Sequence, residues 1–483
     1  MKTKIKTAIA ICALGLAIEL STAAQAAKPT APSDLMTTAV SSDQINLTWT
    51  DNSNNETGFK IGRSTDGVNW ALIARTAANV VNFSDAGLTP NTRYFYRVRA
   101  WNTSGNSAYT IPASAVTFDL KVVEAVRLNG ANPIITESMF AAFGSTTDGA
   151  NIDGPSIIRV PDWISPSNRP AATANYYLYF ANHEGTYIRM AWAAELEGPW
   201  TLFNVGKNNT ESVGQGVLDL NLGGNNTISI GNGIVIKSHV ASPDVHVDDI
   251  NQQIVMYFHC RVDVNGTKLN QKSLVATSAD GLNFNMPVEG GQPGHGIMPV
   301  ILGESYFRVF SYAGGLYALS GGGNVYQAPN ATEPWSPPAG FDFRNELWTR
   351  FGSQSPFQRD LDSAGLRRLA VRHTAVRVVG DTLEVFYTRK GDAPERVFYS
   401  TIDLSVGSPA KWDPTYPPVE ILRPEEIWEG VNDPLTASID GMAPENVNQL
   451  RDPALYEENG QLYLFYTGRG EDAIGLVRLD PSN

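Results

Sequence analysis

The chain has 483 residues, 42% of them hydrophobic, and a formal net charge of −13 at pH 7. That length holds two or three domains, and so acidic a balance argues against nucleic acid or an anionic membrane surface as partners. With only Cys12 and Cys260 present, no network of disulfides can hold the fold together.

The first 26 residues read as an export signal. Lys2, Lys4 and Lys6 precede an uncharged apolar run from Ala8 to Ile18, and Ala24-Gln25-Ala26 supplies small residues at the spacing a signal peptidase needs. The run is short for a bilayer span. The expected mature chain starts at Ala27, carries a net charge of −15, is secreted or periplasmic and acts as a monomer. Cys260 is then its single cysteine and, within Met256-Tyr-Phe-His-Cys260, reads as a small buried hydrophobe.

Residues 27–118 are rich in Thr, Ser and Asn and carry short alternating runs, such as Gln44–Trp49 and Tyr94–Ala100. Turn clusters at Asp51–Asn55, Asp66-Gly67 and Pro90-Asn91 separate them. Short strands at this spacing predict a β-sandwich, with Trp49 as the large core residue of an early strand. The segment Leu88-Thr-Pro-Asn-Thr-Arg-Tyr94 resembles the tyrosine corner of fibronectin type III domains. Pro29-Thr-Ala-Pro32 and the stretch from Trp101 to Ala108 are similar to the ends of that family. The resemblance implies a spacer or binding module without chemistry of its own.

Residues 119–483 repeat themselves. An aromatic strand recurs as Tyr176–Phe180, Ile254–Phe258, Leu316–Leu319, Leu383–Tyr387 and Leu462–Tyr466, at steps of 78, 61, 67 and 79 residues. Small-residue strands follow at Ile188–Ala193, Ser273–Thr277 and Ile474–Arg478. Leu196–Trp200 and Thr332–Trp335 look like blade-closing turns. Five such units predict an all-β chain in which a five-bladed β-propeller follows the sandwich.

In a propeller the innermost strand of each blade faces the axis, so polar groups just before each aromatic strand converge. They are Asn151, Asp153 and Arg159; His239, Asp244 and His246; Glu304, Tyr306 and Arg308; Arg372 and His373; and Arg451 and Asp452. This pattern resembles the five-bladed glycoside hydrolases of families 43, 32, 62, 117 and 130. Ser242-Pro-Asp-Val-His246 is similar to the Ala-Pro-Asp-Val motif of family 43, Asp153-Gly-Pro155 to its first-blade Asp-Pro, and Arg451-Asp-Pro453 to Arg-Asp-Pro segments of the wider group.

The resemblance implies hydrolysis of a plant or algal polysaccharide or oligosaccharide by paired carboxyl groups. Asp153 would be the general base, Asp244 the carboxylate that tunes and orients the acid, and Glu304 the general acid. Glu429, in Trp428-Glu-Gly430, is the other choice for the acid. His183, His246, Arg308, His373, Arg451, Asp452 and Glu429 are the expected substrate contacts. No cofactor is required, although His373 resembles a fourth-blade histidine near a central ion, so the resemblance allows a structural calcium or other metal ion in the propeller centre. Gly154 between Asp153 and Pro155, and Ser-Tyr after Glu304, depart from the family pattern.

Two rival readings use the same residues. A lyase would take a proton alpha to a uronate carboxylate with His or Tyr while Arg neutralises that carboxylate; His183, Tyr187, Arg189, His246, Tyr306 and Arg308 would serve. A glycan-binding protein would need no chemistry. His259 reads as a strand-core residue, and His295 lies in a Gly-rich loop.

Overall fold

The computed structural model describes residues 27–39, 44–89, 92–117, 123–141, 149–183, 185–205, 215–220, 227–284, 296–352, 355–359, 370–415 and 418–481. The expected signal segment and His295 lie outside these residues. The chain divides into two compact units, Met1–Asp119 and Leu120–Asn483. Among the described residues no helix is long and apolar enough to cross a membrane.

The first unit has strands β1 (Ser33–Ala39), β2 (Ile45–Thr50), β3 (Gly58–Ser64), β4 (Ala71–Arg75), β5 (Asn82–Asp85), β6 (Arg93–Asn102), β7 (Gly105–Asn106) and β8 (Ala113–Val116). One sheet runs β1-β2-β5. The other runs β4-β3-β6-β7, with β8 also on β6. Alternation along β2 and β6 sends Ile45, Leu47, Trp49, Tyr94, Tyr96 and Val98 inward, where they form the sandwich core with Phe59 and Ile61. The Tyr94 hydroxyl accepts the Thr89 N–H at 3.0 Å, the corner bond expected of a fibronectin type III domain.

The second unit begins with β9 (Val123–Arg127), β10 (Ile135–Thr136) and α1 (Glu137–Ala141), the single α-helix among the described residues. Five blades follow. Blade 1 holds β11 (Asp153–Arg159), β12 (Tyr176–Ala181), β13 (Tyr187–Ala193), β14 (Thr201–Phe203) and the short β15 (Leu218–Asp219). Blade 2 holds β16 (Ile228–Gly231), β17 (Ile234–Asp248), β18 (Gln253–Val264), β19 (Thr267–Ser278), β20 (Gly296–Ile297) and β21 (Gly303–Glu304). Blade 3 holds β22 (Arg308–Tyr312), β23 (Gly315–Leu319), β24 (Val325–Gln327) and β25 (Thr349–Phe351). Blade 4 holds β26 (Ala370–Val379), β27 (Thr382–Lys390), β28 (Val397–Asp403) and β29 (Val419–Leu422). Blade 5 holds β30 (Arg451–Glu458), β31 (Gln461–Gly468) and β32 (Ala473–Pro481).

The architecture is therefore the predicted one, a sandwich followed by a five-bladed propeller. Each recurring aromatic segment lies in the strand that follows its blade's axis-facing strand: β12, β18, β23, β27 and β31. All six residues of β12 are buried, because neighbouring blades cover both of its faces. The cores accordingly span blade boundaries: Tyr177 and Tyr179 of blade 1 pack with Ile254 and Phe258 of blade 2. Blade 5 takes its outer strands from the start of the unit, since β9 and β10 both pair with β32. Backbone hydrogen bonds thus close the ring.

Candidate active site at the propeller axis

The first strands of the blades pack around the axis, with β11 against β17 and β30, and β26 against β22 and β30. Four of these five strands break register at the residues singled out above. The breaks lie between Asp153 and Ser156, Ala241 and Asp244, Val371 and Thr374, and Arg451 and Ala454. Such bulges re-aim side chains and gather at functional sites. Left-handed backbone gathers here too: His239 (φ 61°), Ser242 (48°), Tyr306 (63°) and Asp452 (49°). Holding non-glycine residues there costs stability. Gly154, at φ 58°, allows the blade-1 bulge. A Cβ on it would stand 2.8 Å from Ser242 Cα, which accounts for the glycine between Asp153 and Pro155.

The bulges deliver buried charge to one place. Asp153 is 4% exposed, Asp452 2% and Glu471 2%. His183 Nδ1 lies 3.7 Å from Asp153 Oδ2 and 3.6 Å from Glu471 Oε1. Arg451, fully buried, lies 2.8 Å from Glu471 and 3.1 Å from Glu395, and Arg372 lies 3.0 Å from Glu395. Asp452 Oδ1 lies 2.8 Å from His373 Nδ1. Asp153 Oδ1 has no hydrogen-bond partner among the described residues.

These surroundings push the two aspartates apart. Burial, then repulsion from Asp452 and Glu471, holds the Asp153 carboxyl well above the usual carboxylate range. Burial raises Asp452 as well, but His373, Arg451 and Arg308 outweigh it and hold Asp452 low. His183 is pushed down by burial, yet Glu471, Asp153 and Asp452 bring it above the ordinary histidine value.

Four of the six histidines gather beside this pair. His183 and His239 rings are 5.3 Å apart, and the His239 and His259 Nε2 atoms stand 3.0 Å apart. Tyr306 lies between His259 (4.1 Å) and His373 (4.8 Å). Burial, helped by His183 and Arg261, lowers His239 to about 4; burial with neighbouring histidines also holds His259 well below the ordinary histidine value. A cleft of about 550 Å³ is lined in part by Arg261, Lys272, Glu304, Ser305 and Gly321, and Gly321 lies against Tyr306 of this cluster.

Several expected contacts have other employment. Glu429 is fully buried in a one-turn 3-10 helix, where it binds Arg127 Nε at 2.9 Å, Arg127 Nη2 at 2.8 Å and the Tyr466 hydroxyl at 2.6 Å. It is a closure residue, inaccessible to substrate. Arg451 braces Glu471 and Glu395 with no exposed surface. Arg308 donates to carbonyls of Thr374, Ser242, Pro243 and Phe307, clamping blades 2, 3 and 4. Asp244 accepts the Val309 N–H at 2.8 Å and pairs with His246 at 2.9 Å. Burial raises its pKa, but His246 and Arg308 hold it below the usual range. Glu304 sits at the cleft, paired with Arg350 and Asn324 at 2.9 Å each. Among the lyase candidates, Tyr187 and Arg189 are buried, and Arg189 donates to the carbonyls of Asn151 and Ala181.

Asp153, His183 and Glu471 each place one ligand atom within 4.8 Å of the others, an arrangement a cation can use. Calcium asks for six to eight oxygens, and Glu471 already serves Arg451 and Asn151, so this donor set does not fit calcium. His373 is outside the trio and engaged with Asp452. Glu395, Glu471 and His259 were not foreseen in the site. Glu395 and Glu471 lie in turns between the second and third strands of blades 4 and 5, as His183 does in blade 1. That shared position after the aromatic strand was the available signal.

Residues 30–116 match the fibronectin type III domain family. A solved structure titled as a thermostable family-43 glycoside hydrolase aligns over 70% of this chain and 91% of its own, at 13% identity and a TM-score of 0.40. Exoglucanase B of Cellulomonas fimi is 29% identical over 134 residues, which span 26% of this chain and 12% of that enzyme. A mimivirus protein of Acanthamoeba polyphaga mimivirus, "Uncharacterized protein R118", is 30% identical over 353 residues, covering 72% of this chain and 88% of the viral protein. Those 353 residues far exceed the 87 of the fibronectin match, so the propeller carries most of the likeness, and this chain belongs to the same family as the mimivirus protein.

Proposed function

We propose that the propeller is an exported glycoside hydrolase whose working pair is Asp153 and Asp452. The observation that carries this reading is the opposite tuning of two neighbouring carboxyls from blades 1 and 5. Environments that drive two titratable groups apart mark an acid and a base. Asp153, whose carboxyl holds its proton more tightly than an ordinary carboxyl because of burial and the neighbouring Asp452 and Glu471, donates that proton to the leaving glycosidic oxygen as the C–O bond breaks. Asp452, kept ionised by His373 and Arg451, takes a proton from the attacking water. One water is thereby added across the bond. This reverses the base role that the family resemblance implies for Asp153, because a buried carboxyl repelled by Asp452 is a donor. Asp244 and Glu304 act as a tie between blades 2 and 3 and as a cleft-lining group. A neutral or acidic polysaccharide or oligosaccharide enters by the cleft beside Tyr306.

A second reading rests on Tyr306, held between the His259 and His373 rings. In a uronate lyase that tyrosine would shuttle the proton. Digestion of a panel of neutral and uronate polysaccharides in ¹⁸O-water separates the two. One heavy oxygen incorporated per bond cleaved, at the new reducing end, and an Asp153→Asn variant slowed 10²- to 10⁴-fold, are expected. Unsaturated products without heavy oxygen, made at full rate by Asp153→Asn but not by Tyr306→Phe, would overturn the hydrolase.

A further inference from the structure

The fibronectin module carries a charge pattern that its fold does not need. Residues 27–118 hold seven Lys and Arg against six Asp and Glu, whereas residues 119–483 hold 26 against 42, a balance of −16. The module's cations are also grouped. Register places Arg75 of β4 opposite Lys60 of β3, and Lys60 opposite Arg99 of β6, so three cations stand in one row across three strands. Like charges directly opposite one another destabilise a sheet. Arg97 sits two residues from Arg99 on the same face, opposite Gly62, whose lack of a side chain leaves room for it.

Aromatic rings hold these cations in place. The Arg97 guanidinium lies 4.3 Å from the Trp70 ring centre and 4.0 Å from that of Tyr109, and Arg99 lies 4.5 Å from Tyr109. Lys60 and Arg75 lie 5.0 and 5.8 Å from the Trp101 ring. Stacking covers the guanidinium faces and leaves N–H donors along the edges. The side chains of Arg75, Arg97 and Arg99 make no hydrogen bond and no ion pair with described residues; the unpartnered Nε atoms of Arg97 and Arg99 are themselves buried, so the terminal Nη groups are the donors left for an outside partner. Lys60 donates only to Asn106, at 2.8 Å. A row of repelling cations, immobilised in advance and lacking acids, is built for anions brought from outside. Planar forks suit carboxylate or sulfate groups, which they bind bidentately.

We propose that this face of the fibronectin module, centred on Arg75, Lys60, Arg97 and Arg99, binds an acidic polysaccharide through its carboxylate groups. The choice of a glycan among polyanions rests on the hydrolase reading. It also follows from charge density: the −16 of the propeller repels a nucleic acid duplex more strongly than a uronate chain with one charge per sugar.

The test is titration calorimetry on the full chain with polygalacturonate, a sulfated polysaccharide, a neutral glucan, duplex DNA and phosphatidylserine vesicles at two salt concentrations. Polygalacturonate is expected to bind, more weakly at high salt. Arg97→Gln with Arg99→Gln should weaken it at least tenfold, and Arg75→Gln, a change at an exposed position, should weaken it without unfolding the module. Arg97→Lys, which keeps the charge but loses the fork, should fall between. Hydrolysis of short neutral oligosaccharides should be unchanged in all of them, so a failed hydrolase reading and a failed binding site give different results. Absence of binding, equal binding of the neutral glucan, equal binding by the variants, or tighter binding of sulfated glycan, DNA or vesicles overturns the proposal.

Discussion

Replacing Glu429 separates closure of the ring from catalysis. Its carboxylate accepts from Arg127 Nε and Nη2, from the Tyr466 hydroxyl and from the N–H groups of Glu425 and Glu426, the last two at 2.7 and 3.0 Å. Arg127 ends β9, the strand that closes blade 5 on β32. Removing one partner of a buried ion pair costs about 3–5 kcal/mol, because the other charge is left uncompensated. Glu425 also reaches Arg127, at 2.7 Å, so Glu429→Ala should cost about 3 kcal/mol, the low end. Unfolding entropy is roughly 2.1 cal/mol/K per residue, or about 0.8 kcal/mol/K for a unit of this size, so the propeller's Tm should fall by about 4 °C. Differential scanning calorimetry at one scan rate reads this, with kcat measured well below the transition. The pair also predicts a pH trend. Burial raises the Glu429 pKa, but Arg127, the two amides and Tyr466 hold it below its unfolded value. Its stabilisation is therefore present above the unfolded carboxylate pKa and is lost as pH falls through the folded one. Wild type and variant should converge in acid. An unchanged Tm with a collapsed kcat would refute this reasoning and restore Glu429 as a catalytic acid.

Other outcomes follow from the same geometry. Gly154→Ala introduces a Cβ 2.8 Å from Ser242 Cα at a positive φ, and should cost about 1–3 kcal/mol while displacing Asp153, seen as a fall in kcat larger than any change in KM. His373→Asn removes the chief group holding Asp452 low, so the acidic limb of the pH–rate profile should move to higher pH. Tyr94→Phe loses the bond to Thr89 N–H and should destabilise the fibronectin module by about 1 kcal/mol, lowering its unfolding transition and leaving the propeller's in place.

The local chemistry of this protein was legible in one dimension. Alternation within Gln44–Trp49 and Tyr94–Ala100 specifies strands with one buried face, because side chains alternate strictly along a strand. The unbroken aromatic runs specify strands buried on both faces, and their fivefold recurrence specifies the propeller. Asp153, Asp244, His373 and Asp452 were found because a short polar segment before each such run must face the axis.

Pairing was decided only in three dimensions. Which carboxyl neighbours which depends on how neighbouring blades meet, so Asp153 meets Asp452 across nearly 300 residues, and Glu429 meets Arg127 across 302. Protonation follows from that meeting. An isolated sequence assigns every aspartate the same pKa, while burial beside another carboxylate raises Asp153 and the contact with His373 lowers Asp452. The row Arg75–Lys60–Arg99 was likewise hidden, since its three members come from three strands and only sheet register sets them side by side. Periodicity belongs to a single segment and can be read from it; electrostatic environment belongs to the space between segments, and comes into being only when the chain folds.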